Sequence, residues 1–374
     1  MKLSIEKVAM QTALGRVASA VDKKGTIAIL GNIKMVAEKS GRAIFTATDL
    51  DLQIVSSVSA TVAAAGEITL PGIKLQEIVS KMPDGADIVM TLKDNGLMDL
   101  ENGKTRYHIK TMSVSEFPKL PDEKTYPYEF SIMANDLQKL LDQTKFSISQ
   151  EETRYYLNGV YIHTTDEKLL TTVSTDGHRL ALASMPAPQG AEKLKGVIIP
   201  KKAVMEITRL LSDIENKADS EVGISISDTK LKLDLSGTVI STKLIDGKFP
   251  DYLRVIPQKN EKHITINGHD FKSAVDRVST ISSDKVRSVK LKIDGNNMQL
   301  TATSQDHGYA EEEFSANYKG DEITLNFNCR YLLELLDAAS TDNLIMDAQD
   351  SFTPVLFKNK NDPNVLYVLM PLRI

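Results

Sequence analysis

The chain has 374 residues, of which 41% are hydrophobic and 25% are charged, and its formal net charge is −5. This composition is typical of a globular protein, and the negative charge argues against nucleic-acid binding by overall electrostatic attraction. The single cysteine, Cys329, excludes an internal disulfide, no run of about 18 apolar residues could cross a membrane, and no apolar signal-peptide segment opens the sequence, so we expect a cytoplasmic protein.

The first predicted strand contains Leu3-Ser4-Ile5 and leads into an amphipathic helix. Residues 33–55 then alternate as strands around a turn at Ser40-Gly41, and residues 68–70 open a second strand and helix. The Asn95-Gly96 pair predicts a hairpin further on. Apolar residues with i, i+3, i+4 and i+7 spacing predict the helices of the whole chain. They are Leu14, Val17, Ala18 and Val21; Leu75, Ile78, Val79 and Met82; Leu137, Leu140 and Leu141, followed by Thr144; Ile207, Leu210, Leu211 and Ile214; Phe271, Ala274, Val275 and Val278; and Leu332, Leu335, Leu336 and Ala339.

This succession of elements occurs three times. Leu70, Ile199 and Leu325 hold equivalent positions at intervals of 129 and 126 residues, which indicates a repeated domain rather than a solenoid unit. Proline-containing segments at 116–121 and 248–257 close the first and second copies. The sequence therefore predicts an α+β protein of three repeated domains, each with two helices packed on antiparallel sheets. The predicted domains are 1–122, 129–257 and 258–374.

No catalytic or metal-binding motif is present. Gly103-Lys104-Thr105 matches the end of a phosphate-binding loop, but Met98 occupies the place of the required first glycine. The six histidines lack metal-ligand spacing, so we expect no metal, no cofactor and no catalytic residue. The hexapeptide Thr175–Leu180 is best interpreted as an Asp-Gly turn between two strands. An acid/base pair of Asp176 and His178, or a binding site, remains an alternative.

Four segments and the threefold repeat resemble the bacterial sliding clamp, the β subunit of the DNA polymerase III holoenzyme. The segments are residues 154–159 (Arg-Tyr-Tyr-Leu-Asn-Gly), 175–180 (Thr-Asp-Gly-His-Arg-Leu), 249–252 (Phe-Pro-Asp-Tyr) and 367–374. The resemblance covers the whole chain. It implies the DNA clamp fold and a non-catalytic homodimer, closed head to tail into a ring that encircles duplex DNA.

The resemblance also implies partners and their sites. Besides double-stranded DNA, bound topologically and without sequence preference, the partners would be the replicative polymerase catalytic subunit, the clamp loader, translesion polymerases, mismatch repair proteins and ligase. They would share one peptide cleft, lined by Tyr156, Leu157, Thr175, Gly177, His178, Arg179, Leu180, Pro250, Arg254, Val255, Asn328, Tyr331, Pro354, Val368, Met370, Pro371 and Leu372. The DNA-binding residues would be Lys24, Gln150, Arg154, Tyr155, Tyr156, Lys201 and Lys202. The dimer interface would contain Lys104, Arg106, Tyr107, Ile109, Thr280, Ile281, Glu311 and Glu313, within the acidic run 311–313.

Sliding requires phosphate contacts that carry no sequence information. Further cations on predicted helices are therefore candidates: Lys7, Arg16, Lys74, Lys81, Lys139, Arg209, Lys272 and Arg277. Two other functions remain open. An enzyme with an unrecognised site would need a coupled acid/base pair, and a scaffold with the same three domains would bind peptides but ignore DNA.

Overall fold

The computed structural model describes residues 1–22, 25, 27–85, 87–120, 123, 125–282 and 287–373. The chain forms two compact units, Met1–Asn135 with Glu206–Leu244, and Asp136–Met205 with Ile245–Ile374. The middle repeat is therefore divided between the units, and the three predicted domain boundaries stay predictions. No helix in the described part of the chain is both long enough and apolar enough to span a membrane.

Two α-helices occur in each repeat, as predicted. They are α1 (Lys7–Val17), α2 (Gly72–Lys81), α3 (Ala134–Asp142), α4 (Lys201–Ser212), α5 (Gly268–Ser279) and α6 (Cys329–Ala339). Cys329 is buried at the first position of α6, so it is a core residue.

The apolar pattern overestimates the length of four helices. Val21, Met82, Thr144 and Ile214 lie beyond the ends of α1, α2, α3 and α4. Ala18 starts a short 3-10 turn rather than continuing α1. Val21, Met82 and Thr144 are nevertheless buried, because the chain stays against the core for one more turn after the α-helical hydrogen bonding ends.

The strands also repeat. In the first repeat they are β1 (Lys2–Glu6), β2 (Asn32–Glu38), β3 (Arg42–Thr48), β4 (Leu52–Ser59), β5 (Thr61–Ala64), β6 (Gly66–Pro71), β7 (Asp87–Leu92), β8 (Leu97–Asn102) and β9 (Thr105–Lys110). In the middle repeat they are β10 (Tyr128–Met133), β11 (Gly159–Thr164), β12 (Leu169–Thr175), β13 (Arg179–Pro186), β14 (Val197–Pro200), β15 (Glu221–Ile226), β16 (Lys230–Asp234) and β17 (Thr238–Lys243). In the last repeat they are β18 (Lys262–Ile266), β19 (Ser288–Asp294), β20 (Asn297–Ser304), β21 (Gly308–Ser315), β22 (Ile323–Asn328), β23 (Leu344–Ala348), β24 (Val355–Asn359) and β25 (Asp362–Leu369).

The first unit contains two antiparallel sheets. One has the order β5-β1-β7-β8-β9, and the other has the order β10-β15-β16-β17-β4-β3-β2-β6. In the second sheet, β17 of the middle repeat pairs with β4 of the first repeat, with Val239 opposite Val55 and Ser241 opposite Gln53. Two sequence repeats thus share one continuous sheet, and β9 is left at the edge of the other.

The second unit repeats this arrangement. Its sheets have the orders β14-β11-β12-β13-β25-β24-β23-β18 and β21-β20-β19-β22. Here β25 of the last repeat pairs with β13 of the middle repeat, with Leu180 opposite Val368 and Leu182 opposite Leu366. Strand β21 is left at the edge of the smaller sheet.

Buried apolar faces attach the helices to these sheets. In α1, Met10, Ala13, Leu14 and Val17 are buried, and the helix packs against α2, β3 and β4. In the last repeat, α5 packs against α6 and against β19, β20 and β21. Removing a leucine or phenylalanine side chain from water contributes roughly 1.5–3 kcal/mol, so these faces account for much of the folding free energy.

Two glycines give opposite expectations for alanine substitution. A Cβ on Gly159 would lie 2.2 Å from the backbone oxygen of Ile199, in the paired strand, whereas a Cβ on Gly15 of α1 meets nothing within 4 Å. Gly159→Ala should therefore lower the free energy of unfolding by roughly 1–3 kcal/mol through overpacking. Gly15→Ala should raise it by up to about 1 kcal/mol through helix propensity. Calorimetric unfolding of both variants measures these shifts; an unchanged melting temperature for Gly159→Ala would contradict the close strand approach.

Candidate functional site

The turn between β12 and β13 is the one that the sequence predicts. The Asp176 carboxylate accepts hydrogen bonds from the backbone nitrogens of His178 (2.9 Å) and Arg179 (3.1 Å). Thr175 Oγ1 accepts from Gly177 N (3.1 Å) and donates to Arg179 O (2.6 Å). Gly177 has a φ of +89°, which favours glycine. The Asp176 side chain thus holds the turn, and His178 is exposed on it.

The chain after β25 is fixed against this turn. Met370 N donates to His178 O (2.9 Å), and Leu372 N donates to Asn326 O (2.7 Å). Pro371 is buried, whereas the Met370 side chain is 39% exposed. These two backbone hydrogen bonds fix the segment. The segment therefore presents Met370 beside the turn in a defined position.

A buried apolar cluster lies beneath these segments. It contains Leu157, Val173, Leu180, Ile198, Phe249, Tyr252, Leu356 and Val368, with Tyr156 and Ile256 packed against it. Leu157, Leu180 and Val368 are thus core residues at 2–4% exposure. They can form the floor of a cleft, but they offer little surface of their own to a ligand.

The exposed and half-buried residues among those predicted would form the rim of the cleft. His178, Gly177, Pro250, Arg254, Val255 and Met370 are exposed, and Tyr156, Thr175, Asn328, Tyr331, Pro354 and Leu372 are half-buried. The Tyr331 ring stacks on the His178 ring, with centroids 6.2 Å apart and planes at 25°. Asn328 caps α6 by accepting from the backbone nitrogens of Arg330 (3.0 Å) and Tyr331 (3.2 Å).

Two exposed apolar residues are close in the sequence to rim residues but were not predicted to belong to the cleft. Leu253 is 62% exposed in the short turn Tyr252–Val255. Phe352 is 56% exposed, just before Pro354, in a turn held by the Asp350 carboxylate through the backbone nitrogens of Phe352 (2.8 Å) and Thr353 (2.7 Å). These hydrogen bonds also hold the pKa of Asp350 below its usual value. Their adjacency to predicted rim residues was the only sequence evidence for them.

Arg179, another residue predicted to line the cleft, is buried. Its side chain is only 6% exposed and forms ion pairs with Asp176 and Glu334. Sequence reasoning missed Glu334 and Phe146, because both lie far from Arg179 along the chain.

Stacked aromatic rings support the loop that carries Pro250. Tyr161 lies between Phe249 (4.8 Å between centroids) and His163 (4.9 Å), and His163 Nε2 is 2.9 Å from the Tyr252 hydroxyl. Burial lowers the pKa of His163, and burial raises the pKa of Tyr252 to about 12. The His163 and Tyr252 side chains are therefore both neutral at pH 7, so they can pack among the apolar side chains beneath the Pro250 loop.

Six of the seven predicted DNA-binding residues lie in one part of the second unit. Gln150, Arg154, Tyr155 and Tyr156 lie on one segment, where Tyr155 is 54% exposed and its ring meets that of Tyr156 edge to face. Arg154 is paired with Glu151 (2.7 Å), whose hydrogen bond raises the pKa of the guanidinium. Lys201 and Lys202 begin α4, and Lys201 N donates to Asn158 O (2.9 Å). Lys24 lies outside the described residues.

Several helix cations are engaged in ion pairs, which weakens the prediction that they bind phosphate. Lys7 is buried and pairs with Asp84 (2.5 Å), so this candidate is wrong. Lys139 pairs with Asp362 (2.6 Å), and Arg277 pairs with Glu312 (2.5 Å).

Both predicted dimer segments lie on edge strands. In β9, Arg106 and Lys110 are exposed, whereas Tyr107 is half-buried and Ile109 is buried. In β21, Tyr309, Glu311 and Glu313 are exposed, whereas Glu312 faces the other side and pairs with Arg277. Glu312 is therefore excluded from the acidic surface, because successive strand residues point to opposite faces. Lys104 and Thr280 are exposed, and Ile281 is half-buried.

Three equivalent repeats that share sheets define the class of the protein as a DNA clamp. The family models match it in order: DNA polymerase III beta subunit, N-terminal domain, over residues 1–121; central domain, over 131–251; and C-terminal domain, over 253–373. The chain belongs to this family of bacterial β sliding clamps, which serve the processivity of DNA polymerase III. In the described residues, no group of three or more His, Cys, Asp and Glu could hold a metal ion.

Individual relatives match this chain along its entire length. The beta sliding clamp of Caulobacter vibrioides NA1000 is 41% identical, and that of Escherichia coli K12 is 32% identical; in both, the match covers 100% of either chain. The solved structure of the Bartonella birtlesii clamp bound to griselimycin matches with a TM-score of 0.95 at 41% identity, and covers 100% of both chains. The Caulobacter crescentus clamp, with polyethylene glycol bound at a proposed β-motif tethering region, matches with a TM-score of 0.95 at 40% identity, and covers 100% of this chain and 99% of that one.

The pKa of His163 makes stability depend on pH. Burial holds this pKa below its ordinary 6.5, so the unfolded chain binds the proton more tightly than the folded chain does. The free energy of unfolding should therefore fall as the pH drops through about 6.5 and level off below the folded-state pKa. His163→Gln should reduce this fall between about pH 7.5 and pH 5.5, as measured by urea unfolding. The exposed His269→Gln is the control; an unchanged pH dependence in His163→Gln would contradict this origin.

Proposed function

We propose that two copies of the chain close head to tail into a ring around duplex DNA and tether polymerases to it. One observation carries this proposal, the equivalence of the paired and unpaired edge strands. Each repeat contributes one four-stranded half-sheet of each of two kinds. The three half-sheets of the first kind, equivalent to one another, are β1-β7-β8-β9, β10-β15-β16-β17 and β18-β23-β24-β25. Those of the second kind are β6-β2-β3-β4, β14-β11-β12-β13 and β22-β19-β20-β21.

The last strands of these half-sheets can form three equivalent pairs, and two of the pairs are already formed within the chain. Strand β17 pairs with β4, and β25 pairs with β13. The equivalent strands that remain are β9 and β21, so β9 of one chain is matched to β21 of another. Unpaired strand edges favour such addition. The pairing is heterologous, and it makes a closed assembly if the rotation closes.

Charge supports the same pairing. The outward face of β9 carries Arg106 and Lys110, and the outward face of β21 carries Glu311 and Glu313. In an antiparallel pair these faces lie side by side, so opposite charges meet. Such pairs set the register and exclude β9–β9 contacts, more than they add affinity.

The protein acts without catalysis, in the cytoplasm, with the three domains 1–122, 129–257 and 258–374. Lysine and arginine side chains contact phosphates without reading sequence. The cleft with the rim of His178, Tyr331, Val255 and Met370 binds short apolar peptide segments of the polymerases, the clamp loader, mismatch repair proteins and ligase. Methionine suits a cleft that accepts several peptides.

Threading on DNA is the direct test. The protein is loaded onto nicked circular DNA with ATP and the clamp loader of the same organism, and the circle is then cut once. Bound protein should leave the linear DNA, because a ring slides off an open end, and it should stay when both ends carry a bulky blocking protein. Retention on unblocked linear DNA would show surface binding instead. Failure to load, with an active loader, would favour the scaffold.

Charge reversal tests the pairing of β9 with β21. Glu311→Lys with Glu313→Lys should weaken the dimer, since like charges would meet Arg106 and Lys110 across the pair. Mass measurement by light scattering at several concentrations should show at least about a tenfold weaker dimer, or about 1.4 kcal/mol. Adding Arg106→Glu and Lys110→Glu should restore it.

The matched control for this test is Asp166→Lys with Glu167→Lys. These acids are exposed in the turn between β11 and β12, and their reversal changes net charge by the same amount. The control should keep the dimer of the unmodified chain. Equal weakening in both double variants would mean that net charge alone acts, and would contradict the strand pairing.

A further inference from the structure

Arg179 connects three segments of the second unit. Its Nε lies 3.1 Å from an oxygen of Asp176 in the turn before β13, and its Nη1 lies 2.5 Å from an oxygen of Glu334 in α6. Its Nη2 donates to the backbone oxygen of Phe146 (2.7 Å), in a short turn after α3. A single planar guanidinium thus joins parts of the middle and last repeats.

The burial of this charge shows why the geometry is demanding. Arg179 is 6% exposed, and a buried cation is tolerated only when carboxylates and hydrogen-bond acceptors surround it. Asp176 and Glu334 supply the negative charge. The guanidinium donates hydrogen bonds to Asp176 and to the Phe146 carbonyl in two directions, and its Nη1 contacts Glu334 in a third direction as an ion pair without hydrogen-bond geometry. A lysine ammonium has no such planar arrangement.

The same guanidinium contacts Tyr331, one of the residues that form the rim of the cleft. Its carbon lies 4.3 Å from the centre of the Tyr331 ring, and this ring also stacks on His178. Asp176, which pairs with Arg179, accepts from the backbone nitrogen of His178. Arg179 thus contacts Tyr331 directly and is linked to His178 through Asp176 and through the Tyr331 ring, although its side chain is only 6% exposed.

We propose that Arg179 is a positioning residue that sets the distance between the 175–178 turn and the first turn of α6, and thereby the shape of the peptide cleft. This inference rests on the proposed peptide-binding function of that cleft. The guanidinium acts through His178 and Tyr331 and makes no contact with the peptide. Peptide affinity accordingly depends on the ion pair with Glu334, a residue outside the predicted cleft.

The test compares Arg179→Met, Arg179→Lys, Glu334→Gln and the double variant Arg179→Met/Glu334→Gln. The probe is a fluorescent peptide from the clamp-binding segment of the replicative polymerase of the same organism. Arg179→Met should weaken binding by about tenfold or more, and Arg179→Lys should not restore it, because charge without the fork cannot join the three segments. Glu334→Gln should weaken binding less. The double variant should match Arg179→Met, since the two residues act through one contact.

Lys358→Met is the matched control. It removes a different ion pair of the same unit, between Lys358 and the buried Asp347 (2.8 Å), and should leave peptide affinity unchanged. Affinity restored by Arg179→Lys, equal loss in Lys358→Met, or additive losses in the double variant would each overturn the positioning role.

A second measurement does not depend on the peptide. The chain has six histidines, so their ring resonances can be resolved by NMR. The His178 resonance should shift in Arg179→Met and in Glu334→Gln, because the stacked Tyr331 ring moves, while that of the exposed His269 should not. If the unmodified chain binds no peptide but His178 shifts, the proposed function fails and the positioning role stands. If His178 does not shift in either variant, the positioning role fails, whatever the peptide affinity.

Discussion

Antiparallel pairing between strands of successive repeats is the interaction on which the rest of the structure depends. It joins β17 to β4 and β25 to β13, so that each large sheet is built from halves of two repeats. A repeat by itself would expose two strand edges with unpaired backbone groups. Pairing satisfies these groups and gives each unit one continuous sheet. The compact units follow the sheets and not the sequence repeats.

The candidate cleft depends on the second of these strand pairs, β13 with β25. The register of β13 with β25 places Leu180 opposite Val368, in the buried cluster, and leaves the backbone of His178 to bind Met370 just beyond the ladder. The turn of the middle repeat and the end of the last repeat therefore meet because two strands pair. A ligand at this position would contact both repeats of the unit at once.

Local features were predictable from the sequence, whereas distant contacts were not. Asp176 and Gly177 predict their turn because a side-chain acceptor and a positive φ are needed within four residues, and the structure has both. The period of Phe271, Ala274, Val275 and Val278 likewise predicts α5. The ion pair of Arg179 with Glu334 was not predictable, because Glu334 lies outside any local pattern. The inward position of Glu312, by contrast, was predictable, because strand alternation places it on the opposite face from Glu311 and Glu313.

The division of the middle repeat has a consequence for how the chain folds as it is synthesised. The first unit needs strands β15, β16 and β17, up to Lys243, before β4 is covered. The segment 136–205 emerges earlier but belongs to the second unit, which is complete only when β25 has left the ribosome. Well over a hundred residues must therefore be synthesised between β13 and the strand that pairs with its edge, β25. Long-range pairing of this kind is slow and open to aggregation. The nascent chain thus passes through a stage in which the β13 edge is unpaired and open to association with other chains.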